Sequence, residues 1–271
     1  MRSLFQFVLL TYIVSWSLWI AADAILRWDV SHRSGLLAIS GLLYVLGVFA
    51  PGLVAVTLTA RGDGRAATLA LLRRTVRWAV GARWYVFAAG YFVAIELAVA
   101  LAHRTATGAW PAFTQTPWSG MLVAIVFSTP VQAGEEIGWR GYALPRLSTR
   151  VGLPFASAIV GIIWACWHLP FFFMPGTDKS GQSFPAYALG VTAISIAMAW
   201  LYWHTKGSLL LTMLMHAAVN NTNVVPTPAP ATANPFGLRT PLVVWLSAAL
   251  LWVGAVYFLI QMRRATPESG R

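Results

Sequence analysis

The chain has 271 residues, 58% of them hydrophobic and 10% charged, with fourteen Trp; soluble domains carry about 25% charged residues, so this composition excludes a soluble globular protein and fits a polytopic membrane protein. The net charge of +11 would suggest nucleic acid in a soluble chain, but the basic residues are spread loop by loop, and no nucleic-acid partner is expected. The lone cysteine, Cys166, excludes an intrachain disulfide and argues against a cysteine-based structural zinc site.

Apolar stretches near the ~20 residues that span a bilayer occur, in chain order, at Leu4 to Ile20, Leu36 to Ala60, Tyr85 to Ala102, Trp118 to Leu144, Pro154 to Phe173, Phe184 to Trp203, Ser208 to Asn220 and Pro241 to Met262. The predicted fold is therefore all-α, a polytopic transmembrane bundle of about eight helices around an intramembrane polar cavity. The first stretch, with one basic residue, an apolar run and Ala22-Asp23-Ala24, also admits a cleaved signal peptide, which would leave the other seven spans unchanged. Between the second and third spans, Arg61 to Arg83 interleaves Leu69, Leu71, Leu72, Val76 and Trp78 with arginines. That pattern predicts an amphipathic helix on the cytoplasmic surface, held to anionic lipid. The seventh span is short unless it continues into Thr222 to Val225, and Asn221 to Thr240, rich in Pro, Ala, Thr and Asn, reads as an outer loop. Three segments follow: residues 1–117, N-terminal helices and the amphipathic stretch; 118–225, a core that holds the intramembrane acids and histidines taken up below; and 226–271, the outer loop and last helix.

With the N-terminus cytoplasmic, thirteen Lys and Arg fall in inner loops and termini (Arg2, Arg61, Arg65, Arg73, Arg74, Arg77, Arg83, Arg146, Arg150, Lys206, Arg263, Arg264, Arg271) and five outside (Arg27, Arg33, Arg104, Lys179, Arg239). The positive-inside rule favours this orientation, with both termini cytoplasmic in a bacterial-type inner membrane.

Arg140 remains inside the fourth span, where Glu135-Glu136-Ile137-Gly138-Trp139-Arg140 ends an apolar run in a chain with only eight acids. A charged group at membrane depth costs about 2.5–3.5 kcal/mol on insertion scales and persists mainly where it lines a polar cavity or carries chemistry. Glu135 lies ten residues from Pro145, His168 fourteen from Pro154 and His216 ten from Lys206, so at ~1.5 Å per residue the three sit about 15, 21 and 15 Å from the cytoplasmic helix ends. Three helices can thus present acid, imidazole and imidazole to one cavity. Adjacent helical residues point about 100° apart, so Glu135 and Glu136 have different tasks. Glu136 and Arg140, at i and i+4 with the acid first, form an ion pair that serves structure or chemistry, while Glu135 faces substrate. Trp164 shares a face with His168, and His216 with Asn220, the latter a pair of donors for a developing oxyanion. Asn221 points away and caps the helix end. Glu96 has no evident partner in sequence; His204 reads as interfacial, and His32 and His103 as loop residues.

At these residues the chain resembles the CPBP family of intramembrane proteases, which includes the CAAX prenyl endopeptidases and the lysostaphin-resistance-protein-A-like and bacteriocin-immunity proteins. The Glu-Glu-x-x-x-Arg motif is met by Glu135, Glu136 and Arg140; the aromatic-x-x-x-His motif by Trp164 and His168, with Trp where Phe is usual; and His-x-x-x-Asn by His216 and Asn220. The likeness covers roughly Trp118 to Asn221, and earlier only the layout is similar, including Ala50-Pro51-Gly52. It implies hydrolysis of a peptide bond in a membrane-associated peptide or protein, with Glu135 as general base, His168 holding the water, and His216 with Asn220 stabilising the oxyanion. Glu135, His168 and His216 also supply the three protein ligands of a catalytic zinc with an open fourth position. The same atoms can activate water without metal, and no His-Glu-x-x-His motif is present. A non-proteolytic scaffold or immunity-type binding protein is the alternative, and a transporter or a bis-His haem protein is a more distant one. The cavity is expected to open toward the cytoplasm.

Overall fold

The computed structural model of the chain describes residues 2–28, 33–222, 224–226 and 234–265. His32 and Arg271 lie outside the described residues, as does part of the loop from Asn221 to Thr240 and of the 226–271 segment. Among the described residues there is no β-strand. The helices are α1 (Arg2–Trp28), α2 (Arg33–Gly62), α3 (Gly64–Arg73), α4 (Ala82–Thr107), α5 (Trp118–Ser128), the single turn α6 (Ala133–Glu136), α7 (Leu144–Trp167), α8 (Phe184–His204), α9 (Leu209–Asn221) and α10 (Leu242–Ala265).

Six described helical stretches are long and apolar enough to cross a membrane, and the longest of them, Trp118–Trp167, is two passes. Gly152, at φ +76, turns the chain within α7 and divides it into 144–151 and 153–167; only glycine takes that left-handed backbone without a Cβ clash. With α9, 13 residues long, eight helical passes result. The fourth pass does not stop at Leu144 as the sequence pattern suggested. It runs through Pro145 to residue 151, because a proline in the first turn of a helix removes a donor that would be unpaired there anyway. Nor is His103 in a loop: α4 continues to Thr107 and ends on Gly108 at φ +76.

Large apolar side chains are bare on the outside of the bundle, among them Phe5, Leu42, Leu53, Val86, Leu122, Phe127 and Val253. Such a coat exceeds what water-facing proteins tolerate and suits hydrocarbon, and the protein is a multi-pass membrane protein. Inside, contact rests on small residues and interhelical hydrogen bonds, as it does where hydrophobicity cannot drive helices together. Ser15 Oγ donates to the Gly47 carbonyl at 2.8 Å, and Tyr12 OH and Trp16 Nε1 donate to the carbonyls of Ile163 (2.5 Å) and Trp167 (2.9 Å). These bonds tie α1 to α2 and α7. The centre of α8 is fully buried at Ile196, Ala197, Met198 and Leu201, and Ser195 Oγ donates across to the Ser157 carbonyl at 3.0 Å.

The two ends of the bundle differ. At one, the amphipathic stretch condenses to α3 followed by one 3-10 turn, Arg74–Val76. Leu71 is buried there while Leu69, Leu72, Val76 and Trp78 remain exposed. Arg74 Nη1 donates to Tyr202 OH at 2.7 Å, Ser208 Oγ to the Arg77 carbonyl at 2.7 Å, and Arg146 pairs with Asp63. At the other end, Phe184 N donates to the Pro235 carbonyl, Ser183 Oγ to that of Gly237 (both 2.7 Å), and Thr114 N to that of Val224 at 3.1 Å.

Candidate active site

Glu135 and Glu136 lie in a helix that is deformed on both sides. Pro130 starts a 3-10 turn over Thr129–Gln132, α6 makes one α-helical turn, and Ile137–Ala143 widens into a π-helix. π-turns inside α-helices frequently mark functional positions because they re-aim side chains at the cost of regular bonding. The deformed stretch is clamped by α2. A Cβ on Gly138 would fall 2.7 Å from Pro51 Cβ and 2.8 Å from the Pro51 carbonyl oxygen, and one on Gly134 3.0 Å from Phe49 Cα. Backbone meets backbone here, so the Ala50-Pro51-Gly52 segment and the acid pair are held as one rigid unit.

The two carboxylates diverge as the helical offset requires. Glu135, 5% exposed, lines a cavity of about 840 Å³, and its Oε2 accepts from Trp164 Nε1 at 2.7 Å. Glu136 lies behind, fully buried; its Oε1 accepts from Arg140 Nη1 at 2.8 Å and is 2.9 Å from His216 Nδ1. The guanidinium of Arg140 stacks 4.3 Å from the centroid of the Trp164 ring, a cation–π contact strengthened by the absence of water. Glu136 Oε2 and Arg140 Nε and Nη2 have no hydrogen-bond partner among the described residues. A buried ion pair left partly unsatisfied is a poor source of stability; what it secures here is the orientation of the His216 ring.

His168 does not sit within a helix as expected. It caps α7, because Pro170 begins a 3-10 turn over Leu169–Phe172. Its Nδ1 is 2.9 Å from the Trp164 carbonyl, and since a carbonyl only accepts, Nδ1 carries the proton and Nε2 keeps its lone pair. The ring is flanked by Trp167 (centroids 4.8 Å apart) and Tyr187 (5.7 Å). Glu135, His168, His216 and Asn220 all line the one cavity. Asn220 is exposed to it, whereas Asn221 turns away and donates to Ser128 Oγ and the Ala217 carbonyl, both at 2.8 Å.

The ligand set suggested for zinc is not gathered: among the described residues no three His, Cys, Asp or Glu side chains converge to hold a metal ion. Glu135 is bonded through Oε2 and both histidines through Nδ1, contacts that fix the orientation of each ring whether its Nε2 meets water or a metal.

Residues beyond the three motifs also shape the cavity. Glu96 lines it, and its Oε2 accepts from Val224 N at 2.6 Å, anchoring the chain that leaves α9. A lone acid in an apolar span was the signal, but no sequence rule named a backbone partner 128 residues away. Gln132 and Tyr187 also line it, and nothing in the pattern distinguished them. The walls come from α2, α4 and α10 as well as from the central stretch, so the three predicted segments form one bundle around the site.

Residues 114–222 match the family model described as type II CAAX prenyl endopeptidase Rce1-like. Over this segment the chain is similar to the CAAX prenyl endopeptidases. A curated relative, CAAX prenyl protease 2 of Methanococcus maripaludis, is 32% identical over 92 residues, covering 32% of this chain. The chain spans about a third of that relative's length, 34%. All seven motif residues of the CAAX-protease likeness, Glu135 to Asn220, fall inside the matched segment.

Proposed function

We propose that the protein is an intramembrane endopeptidase that hydrolyses a peptide bond of a membrane-associated peptide or protein. The observation that carries this reading is the convergence of Glu135, His168, His216 and Asn220 on one cavity. Glu135, fixed through Oε2 by Trp164, takes a proton through Oε1 from a water whose oxygen attacks the carbonyl carbon. It then passes that proton to the nitrogen of the departing amine as the C–N bond breaks. His168 Nε2 accepts a hydrogen bond from the same water. The His216 ring, turned by the Glu136–Arg140 pair, and the Asn220 amide stabilise the oxyanion. The membrane is the bacterial-type inner membrane, with both termini cytoplasmic.

These side chains can activate the water without a metal. Purified protein is expected to hold well under the one equivalent of zinc that a catalytic site takes up, with His168→Ala as the matched control; a full equivalent lost in that variant would require a metal-bound water instead.

Comparing peptide termini in membranes from cells expressing wild type or Glu135→Gln at equal levels tests the reading. New ends seen only with the wild type support proteolysis and name substrates. Rescue of a deletion phenotype by Glu135→Gln would overturn it in favour of a scaffold of the same fold.

A further inference from the structure

We infer that the cavity opens on the extracytoplasmic face, so that the substrate is an extracytoplasmic segment of a membrane-anchored polypeptide. This reverses the cytoplasmic opening expected from sequence; as to the substrate, it rests on the protease reading above.

Two independent observations carry it. The first is where the cavity leads. From Glu135 and His216 its lining continues to Asp178, Lys179, Thr240 and Pro241, all on the connections that follow the end of α7 and precede the start of α10. Those connections are tied together by Phe184 N to the Pro235 carbonyl and Ser183 Oγ to that of Gly237. His168 ends α7, and His216 lies five residues before Asn221, the end of α9, about 7–8 Å along the axis. The chemistry therefore sits nearer this face.

The second observation is charge. The opposite face carries Arg61, Arg65, Arg73, Arg74, Arg77, Arg83, Arg146, Arg150 and Lys206, and no arginine lines the cavity among the described residues. Its loops are bonded to one another through Arg74 to Tyr202, Ser208 to Arg77 and Arg146 to Asp63, so it is one continuous basic surface. Short basic loops stay on the cytoplasmic side of a bacterial-type membrane, where they also meet anionic lipid. That fixes the mouth on the other side. A soluble or tethered chain end in the cytoplasm would then have to cross the bundle to reach Glu135.

The experiment uses the full-length protein with its only cysteine removed (Cys166→Ser) and single cysteines introduced at Asp178 (exposed, at the mouth), Ser247 (half-buried, inside the cavity) and Arg65 (exposed, on the basic face). A membrane-impermeant maleimide is applied to right-side-out and inside-out vesicles. Labelling of Asp178→Cys and Ser247→Cys at least about tenfold faster in right-side-out vesicles, with Arg65→Cys showing the reverse, is the expected result. Ser247→Cys labelled preferentially in inside-out vesicles, or all three labelled equally from both sides, would overturn it. Labelling needs no turnover, so a protein without protease activity still answers the question of side. Where proteolysis does occur, new ends should map to extracytoplasmic segments; ends confined to cytoplasmic segments would overturn the substrate class while leaving the protease reading intact.

Discussion

Helix α8 and the stretch from Trp118 to Trp167 both cross the centre of the bundle and both read as apolar, yet they are built differently. α8 runs as one regular helix over 21 residues, its middle packed by Ile196, Met198 and Leu201. The other stretch passes through a 3-10 turn, a single α-turn, a π-turn and a left-handed glycine, and holds Glu136 and Arg140 fully buried with three of their polar atoms unpartnered. Every one of those features opposes stability. The difference shows where regular packing is given up to aim side chains, and where packing simply holds those aims in place. If this is right, substitutions in the deformed stretch should cost function out of proportion to stability, and substitutions in α8 should do the opposite.

Glu135→Gln should have the largest effect. The amide keeps the volume and an acceptor for Trp164 Nε1 but cannot take a proton, so turnover should fall on the order of 10²–10⁴-fold, the usual contribution of a positioned general base. The melting temperature in detergent should hardly move. Equal activity in the two proteins would remove Glu135 from the chemistry. Gly138→Val comes next and probes the clamp, since its Cβ would lie 2.8 Å from backbone atoms of Pro51. Overpacking costs about 1–3 kcal/mol, and the upper end is expected because backbone cannot rotate aside. Both the melting temperature and activity should fall; a variant as stable as wild type would mean that α2 is not locked to the acid pair.

Much of this was legible in the sequence. The eight passes follow from runs of apolar residues alone, because bilayer thickness imposes a length that needs no tertiary information. The Glu136–Arg140 pair follows from i,i+4 geometry, and the divergence of Glu135 from Glu136 from the helical offset. What was not legible depended on backbone departures from the ideal helix. The cap at His168 and the turns around α6 come from Pro170, Pro130 and local register shifts. Depth counted along straight helices placed the three groups at compatible levels but missed that Trp164 would reach Glu135. The bond from Glu96 to Val224 lies beyond any periodic pattern, since it joins a helix to a non-helical segment.

Trp164→Phe tests the deformed stretch more finely. Phenylalanine keeps an aromatic face under Arg140 but removes the donor to Glu135 Oε2. A hydrogen bond to a charged group is worth about 1.5–3 kcal/mol, so a fall in kcat of roughly ten- to a hundredfold is expected, with KM little changed because the ring does not need to move. A loss confined to KM would reassign Trp164 to substrate binding.

The smallest effect belongs to α8. Ser195→Ala deletes the bond from Ser195 Oγ to the Ser157 carbonyl, and interhelical hydrogen bonds in membranes average about 0.6 kcal/mol. The variant should lose that much stability and no measurable activity. Gly161 packs against Thr192 and Ser195 so closely that its missing Cβ would lie 2.8 Å from Thr192 Cα, so the α7–α8 seam keeps its spacing without the hydroxyl. A drop in turnover comparable to that of Trp164→Phe would mean that α8 aims the site as well as supporting it, and the contrast between the two helices would fail.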